Sequence, residues 1–135
     1  MANINFDTGL VTYNINGKYS FTANPTDAGF IKKLYGAFEA LQEQQEIHES
    51  DGAAETFNRA AELDAKMRGI VDNALGEGAS SAIFGAMNLY AFAGGVPVWL
   101  NLWFSIIEEV SGAAENQRAL LNPRLEEYMA RYKRK

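Results

Sequence analysis

The stretch from Ile70 to Val110 constrains the fold most. It holds both tryptophans, Trp99 and Trp103, and three of the eight phenylalanines, with no lysine or arginine among them. Aromatic side chains bury the largest areas and dominate cores and interfaces. A stretch this rich in them, beside segments full of Ala, Glu and Gln, marks where the chain closes on itself or on a partner. Its most apolar run, Leu89 to Ile107, is interrupted by Gly94, Gly95, Pro97 and Asn101. The uninterrupted parts fall short of the ~20 residues that a membrane span requires. This predicts core or interface and no membrane contact.

The 135 residues fit a single domain, able to bury roughly two thirds of the surface the unfolded chain exposes. Three regions follow in order: a β-hairpin region over 1–23, a helical hairpin over 24–75, and an aromatic-rich helical region over 76–135 that ends in a basic tail, Arg131 to Lys135. That tail reads as a solvated terminus. A net charge of −5 argues against a general nucleic-acid binder, which needs a basic face to displace counterions. There is no cysteine, which excludes disulfides, thiolate zinc sites and cysteine nucleophiles.

From Leu10 to Thr22 the pattern is a hairpin. Val11, Tyr13 and Ile15 alternate with polar residues, Tyr19 and Phe21 do likewise, and Asn16-Gly17 lies between them. A two-residue loop would split the apolar residues onto opposite faces. A three-residue loop Ile15-Asn16-Gly17, with Gly17 left-handed, pairs Tyr13 with Tyr19 and Val11 with Phe21 on one face, and this register is expected. Asn3 to Phe6 is a candidate third strand, turning at Asp7-Thr8-Gly9. Because a lone hairpin is marginal in water, its apolar face must lie on the helices that follow.

The first helix is expected to start with Asn24 as N-cap and Pro25 at its first position. Phe30, Ile31, Leu34, Phe38 and Leu41 form its buried stripe, and Gln42 to Glu49 is polar nearly all round. Ser50-Asp51-Gly52 reads as a break. A second helix is predicted from about Ala53 to Leu75, antiparallel to the first and closed by Gly76. Ser80 or Ser81 is expected to cap a short helix with Ile83, Phe84 and Met87. After Pro97, a helix carries Trp99, Leu102, Trp103, Ile106, Ile107 and Val110, ending or weakening at Ser111-Gly112. A last helix is placed after Asn122-Pro123. The expected class is α+β, mostly α, with four or five helices.

Chemistry finds little to work with. His48 lies near Glu43, Glu46 and Glu49, but one imidazole without a thiolate makes a poor transition-metal site. Glu108-Glu109 and Glu126-Glu127 are adjacent pairs that point about 100° apart on a helix and do not converge as an acid/base couple. Gly76-Glu77-Gly78 follows a helix, lacks the third glycine of a dinucleotide loop and has no Gly-Lys-Ser/Thr. Ser80 and Ser81 lack the nucleophile-elbow glycines. The expectation is a non-enzyme with no catalytic residue, metal or cofactor.

Phe21-Thr22-Ala23-Asn24-Pro25-Thr26-Asp27-Ala28-x-Phe30 followed by a long Glu/Gln-rich helix resembles the tail assembly chaperones of long-tailed bacteriophages and prophages of Gram-positive bacteria. Val71-Asp72-x-x-Leu75-Gly76-Glu77-Gly78-x-Ser80 and then Ile83-Phe84-Gly85 is similar to that family's Gly-Glu-Gly turn and short helix. The resemblance implies a protein of the host bacterial cytoplasm that coats the tape measure protein and helps recruit tail tube subunits, with self-association into a homo-oligomer. A structural minor tail protein of the virion is the alternative. Shielding a client needs exposed apolar surface. Tyr90, Phe92, Trp99, Trp103 and Phe104 are the candidates for it, against the alternative that they are core.

Overall fold

The computed structural model describes the backbone of residues 1–51 and 57–133, and the side chains of 1–47 and 59–118. Strands β1 (Val11–Ile15) and β2 (Tyr19–Ala23) form an antiparallel hairpin. Helices α1 (Ala28–Asp51), α2 (Phe57–Leu75) and α3 (Ala79–Phe84) follow. A two-residue-per-strand hairpin, β3 (Phe92–Ala93) and β4 (Val96–Pro97), then leads into α4 (Val98–Lys133). The class is α+β, mostly α, as expected. Of the break expected at Ser50-Asp51-Gly52, Ser50 and Asp51 instead belong to α1, and Gly52 lies with residues 53–56 outside the described residues, as do the side chains of His48, of Glu126-Glu127 and of the basic tail.

The register of the first hairpin differs from expectation by two residues. Ile15 faces Tyr19, Tyr13 faces Phe21 and Val11 faces Ala23, leaving Asn16-Gly17-Lys18 as the loop. Both Asn16 (φ 53) and Gly17 (φ 71) are left-handed. Lys18 N–H closes the turn on the Ile15 carbonyl at 2.9 Å, and the Asn14 side chain accepts from Gly17 N–H at 2.7 Å. This register keeps the same apolar face and gains Ile15 for it. Tyr13 stacks on Phe21 with ring centroids 5.2 Å apart. Asn3 to Phe6 forms no strand and is exposed, so the candidate third strand is not formed among the described residues.

The start of α1 also falls later than predicted. Asn24 is not the helix cap. Its side chain accepts from Thr26 N–H and hydroxyl at 2.8 and 2.7 Å, and donates to the Thr8 carbonyl at 2.9 Å. Asp27 takes the cap role instead, accepting from Gly29 N–H at 3.1 Å while its carbonyl accepts from Ile31 N–H at 3.0 Å. The Asn side chain is already committed to the preceding turn, which leaves the next carboxylate to serve the helix. Leu34, Ala37 and Leu41 of α1 are buried against Leu63, Met67, Val71 and Leu75 of α2 in one core. The two helices run antiparallel, since Lys33 and Gly36 early in α1 line the same depression as Asn73 and Ala74 late in α2.

The short α3 is capped in an unexpected way. Neither serine caps it; its N-cap is Gly78 (φ 83), with no side-chain cap bond. The carboxylate of Asp72, one helix back, accepts from Ser80 N–H at 2.7 Å. Both serines lie inside the first turn of α3 rather than ahead of it, and the negative charge of Asp72 at the positive end of α3 does the work of a cap. Met87 lies beyond α3 and is exposed. Asp72→Ala is expected to destabilise the chain by about 1–2 kcal/mol and Asp72→Asn by less, as read by urea denaturation followed by circular dichroism.

Helix α4 runs without a break through Ser111-Gly112 and past Asn122-Pro123. The predicted termination and restart are therefore corrected to one helix. Val110 and Ala114, both buried, hold the helix across Gly112. Extending a formed helix gains a hydrogen bond per residue, whereas starting another repeats the nucleation cost.

Candidate functional site

The aromatic stretch divides into a buried set and an exposed set. Trp99 and Trp103 face inward, almost wholly buried, and each indole N–H has a partner. Trp99 donates to the Gln45 side-chain carbonyl at 3.1 Å, and Trp103 donates to the Leu34 backbone carbonyl at 2.9 Å. They are core residues that tie α4 to α1, so neither belongs to a partner surface. The buried Gln45 was hidden by its polar neighbours; only the need of an interior indole for an acceptor pointed to a residue of its kind. Tyr90 is half-buried, its hydroxyl 3.3 Å from the Ala60 carbonyl, and it braces the loop against α2.

Phe92 and Phe104 are the members of the predicted set that reach solvent, 64% and 53% exposed. Phe92 is presented by the β3–β4 hairpin, whose turn residues Gly94 (φ 64) and Gly95 (φ 85) take the left-handed conformation that a two-residue loop demands. The hairpin is fixed rather than loose. Asn101 donates to the Ala93 carbonyl at 2.9 Å, Val98 N–H to Ala91 at 2.7 Å and Trp99 N–H to Leu89 at 3.1 Å. Phe104 lies on the flank of α4, its ring centroid 6.4 Å from that of the half-buried Phe38.

The loop that leads to Phe92 is held from behind by an ion pair. Arg68 donates to Asp64 at 2.8 Å and, through Nη2, to the carbonyls of Gly85 (2.6 Å) and Met87 (2.8 Å). The other oxygen of Asp64 accepts from Leu89 N–H at 2.8 Å. One i,i+4 pair on α2 thus satisfies three backbone groups of the segment after α3, and sets the departure point of the Phe92 hairpin.

A second feature is a groove of about 500 Å³ between the hairpin and α4, walled by Tyr13, Ile15, Phe84, Val98, Leu102 and Ile106. The Tyr13 hydroxyl is buried there without a hydrogen-bond partner. Burial, with Glu109 as the lesser cause, holds its phenol above the ordinary pKa of 10.0. Ser105 in the groove donates to the Asn101 carbonyl at 2.9 Å. Among the described residues no group of three or more His, Cys, Asp or Glu side chains gathers to hold a metal ion, and no helix is long and apolar enough to cross a membrane.

Compared with known proteins, the chain matches no family model, and no significant match to it is found among curated proteins or solved structures.

Proposed function

We propose that this protein is a tail assembly chaperone of a long-tailed bacteriophage or prophage, acting in the host cytoplasm to bind the tape measure protein and help recruit tail tube subunits. The observation that carries the reading is the outward presentation of Phe92 and Phe104 on a body whose core is complete without them. Exposed rings presented on a fixed turn and on a helix flank are side chains of the kind that anchor partners. The resemblance at Phe21–Phe30 and Val71–Gly85 supports the identity of that partner as a long apolar client.

The test is a pull-down of the tape measure protein co-expressed with the Phe92→Ser, Phe104→Ser double variant. Client binding is expected to weaken at least roughly 100-fold, since each buried ring contributes about 2 kcal/mol. Helix content should be unchanged because neither ring is in the core. Undiminished binding would remove the surface from consideration. The alternative, a minor tail protein, is separated by mass spectrometry of purified particles: a chaperone is absent from them, a tail component present.

A further inference from the structure

Asn16 is the one asparagine of the chain that a glycine follows. A side-chain amide in that position can be attacked by the next main-chain nitrogen, and glycine, with no Cβ, hinders the attack least. The turn leaves both partners open to water. Asn16, Gly17 and Lys18 are exposed, and a Cβ built on Gly17 would meet nothing within 4 Å. Solvent hydroxide therefore reaches the nitrogen and the amide alike.

In the folded hairpin that nitrogen is already committed. Gly17 N–H donates to Asn14 Oδ1 at 2.7 Å, and the next amide, Lys18 N–H, donates to the Ile15 carbonyl at 2.9 Å. The Asn14 amide is itself aimed from the neighbouring strand, since its Nδ2 donates to Ser20 Oγ at 3.0 Å. Asn16 is held at φ 53 beside these bonds. Ring closure needs the attacking nitrogen close to Asn16 Cγ and oriented toward it. A nitrogen whose proton is held by Asn14 must give up that bond before it can turn onto the Asn16 side chain, so the reaction runs through an opened turn.

We propose that Asn16-Gly17 is a site of covalent self-modification and that Asn14 is its gate. Once the turn opens, the Gly17 nitrogen loses its proton to hydroxide and attacks Asn16 Cγ. The bond from Cγ to the side-chain nitrogen breaks, and that nitrogen takes a proton from water and leaves as ammonia. Water then opens the cyclic imide at either carbonyl, leaving aspartate or isoaspartate at position 16. The net change is hydrolysis of an amide, with no oxidation or reduction. Both products put a carboxylate near Lys18 on the rim of the groove walled by Tyr13 and Ile15. Isoaspartate also adds a carbon atom to the main chain between Ile15 and Tyr19, which works against their pairing. Copies whose hairpin has opened are thereby altered where the groove begins. The identity of the client plays no part in this.

The test incubates the full chain in mildly alkaline buffer, folded or unfolded in guanidinium chloride. Position 16 is read by mass spectrometry of proteolytic peptides, with isoaspartate separated from aspartate by chromatography. The unfolded chain is expected to convert at least about 10-fold faster than the folded one, giving a mixture of both acids. Folded Asn14→Ala, its fold verified by circular dichroism, should convert roughly 5- to 10-fold faster than the folded parent, the worth of one hydrogen bond. Asn14→Asp keeps an acceptor for Gly17 N–H and should stay near the parent rate. An unfolded chain that remains intact, or one that yields aspartate alone, would overturn the proposed reaction. Equal rates in the folded and unfolded parent, a folded Asn14→Ala no faster than the parent, or an Asn14→Asp as fast as Asn14→Ala would overturn the gate.

Discussion

Trp103→Ala is expected to lower the stability of the folded chain by about 4 kcal/mol, the largest loss predicted for a single core position. The ring is 0% exposed and lies between α1 and α4, where truncation leaves a cavity that two helices joined at other points cannot close. It also removes the N–H bonded to the Leu34 carbonyl at 2.9 Å. Folded domains are stable by only about 5–15 kcal/mol, so this variant should lose roughly 10–20 °C in Tm. Trp103→Phe keeps most of the packing and forfeits the hydrogen bond, and should cost about 1–2 kcal/mol. Urea denaturation of both variants, followed by circular dichroism, provides the measurement. A Trp103→Ala midpoint within 1 kcal/mol of the parent would show that this ring is not what joins α4 to α1.

That expectation bears on how the aromatic stretch can be read. Trp99, Leu102, Trp103, Ile106 and Val110 recur at helical spacing and form one stripe, and all five are buried. Phe104 follows Trp103 by one residue, about 100° round the helix, and falls outside the stripe. Spacing was thus sufficient to separate Phe104 from the tryptophans, although composition alone grouped them. Phe92 was less legible. Its exposure follows from Gly94-Gly95 making a turn tight enough to stand the strand off the body, and from Asn101 fixing that turn, a contact between residues eight apart that no periodicity announces.

The elements themselves were largely written in local chemistry, and the errors fall where a side chain works at a distance. The hairpin and its apolar face followed from alternation and Asn16-Gly17. The register missed by two because both Asn16 and Gly17 turn left-handed, which moves the loop one residue on. Ser80 looked like a cap by residue type, but Asp72 on the neighbouring helix supplies the charge. Gln45 looked like a solvated helix face and instead receives the Trp99 indole, 54 residues away in the chain. Each case is a polar group whose partner is set by packing, and packing is what a linear pattern leaves out.

Gly76→Ala tests the junction where the hairpin, α2 and α3 meet. The residue adopts φ 125, a conformation nearly closed to side chains, and a Cβ built there collides with the Tyr19 hydroxyl. That hydroxyl donates to the Leu75 carbonyl at 2.9 Å and so seats β2 on the end of α2. The substitution must strain the backbone, at about 1–3 kcal/mol, and also displace the tyrosine that closes the helix end. A total loss of about 3–4 kcal/mol is expected. The two contributions can be separated with Tyr19→Phe, which removes the obstructing oxygen and by itself should cost about 1 kcal/mol. In the double variant the collision is gone while the strain remains, so the combined loss should fall short of the sum of the single losses by about 1 kcal/mol or more. Strict additivity would mean that the hydroxyl does not touch position 76 in solution, whereas a Tyr19→Phe variant as stable as the parent would mean that the hairpin is held on the helices by contacts such as Phe21 with Phe30, whose ring centroids are 6.1 Å apart, rather than by the Tyr19 bond.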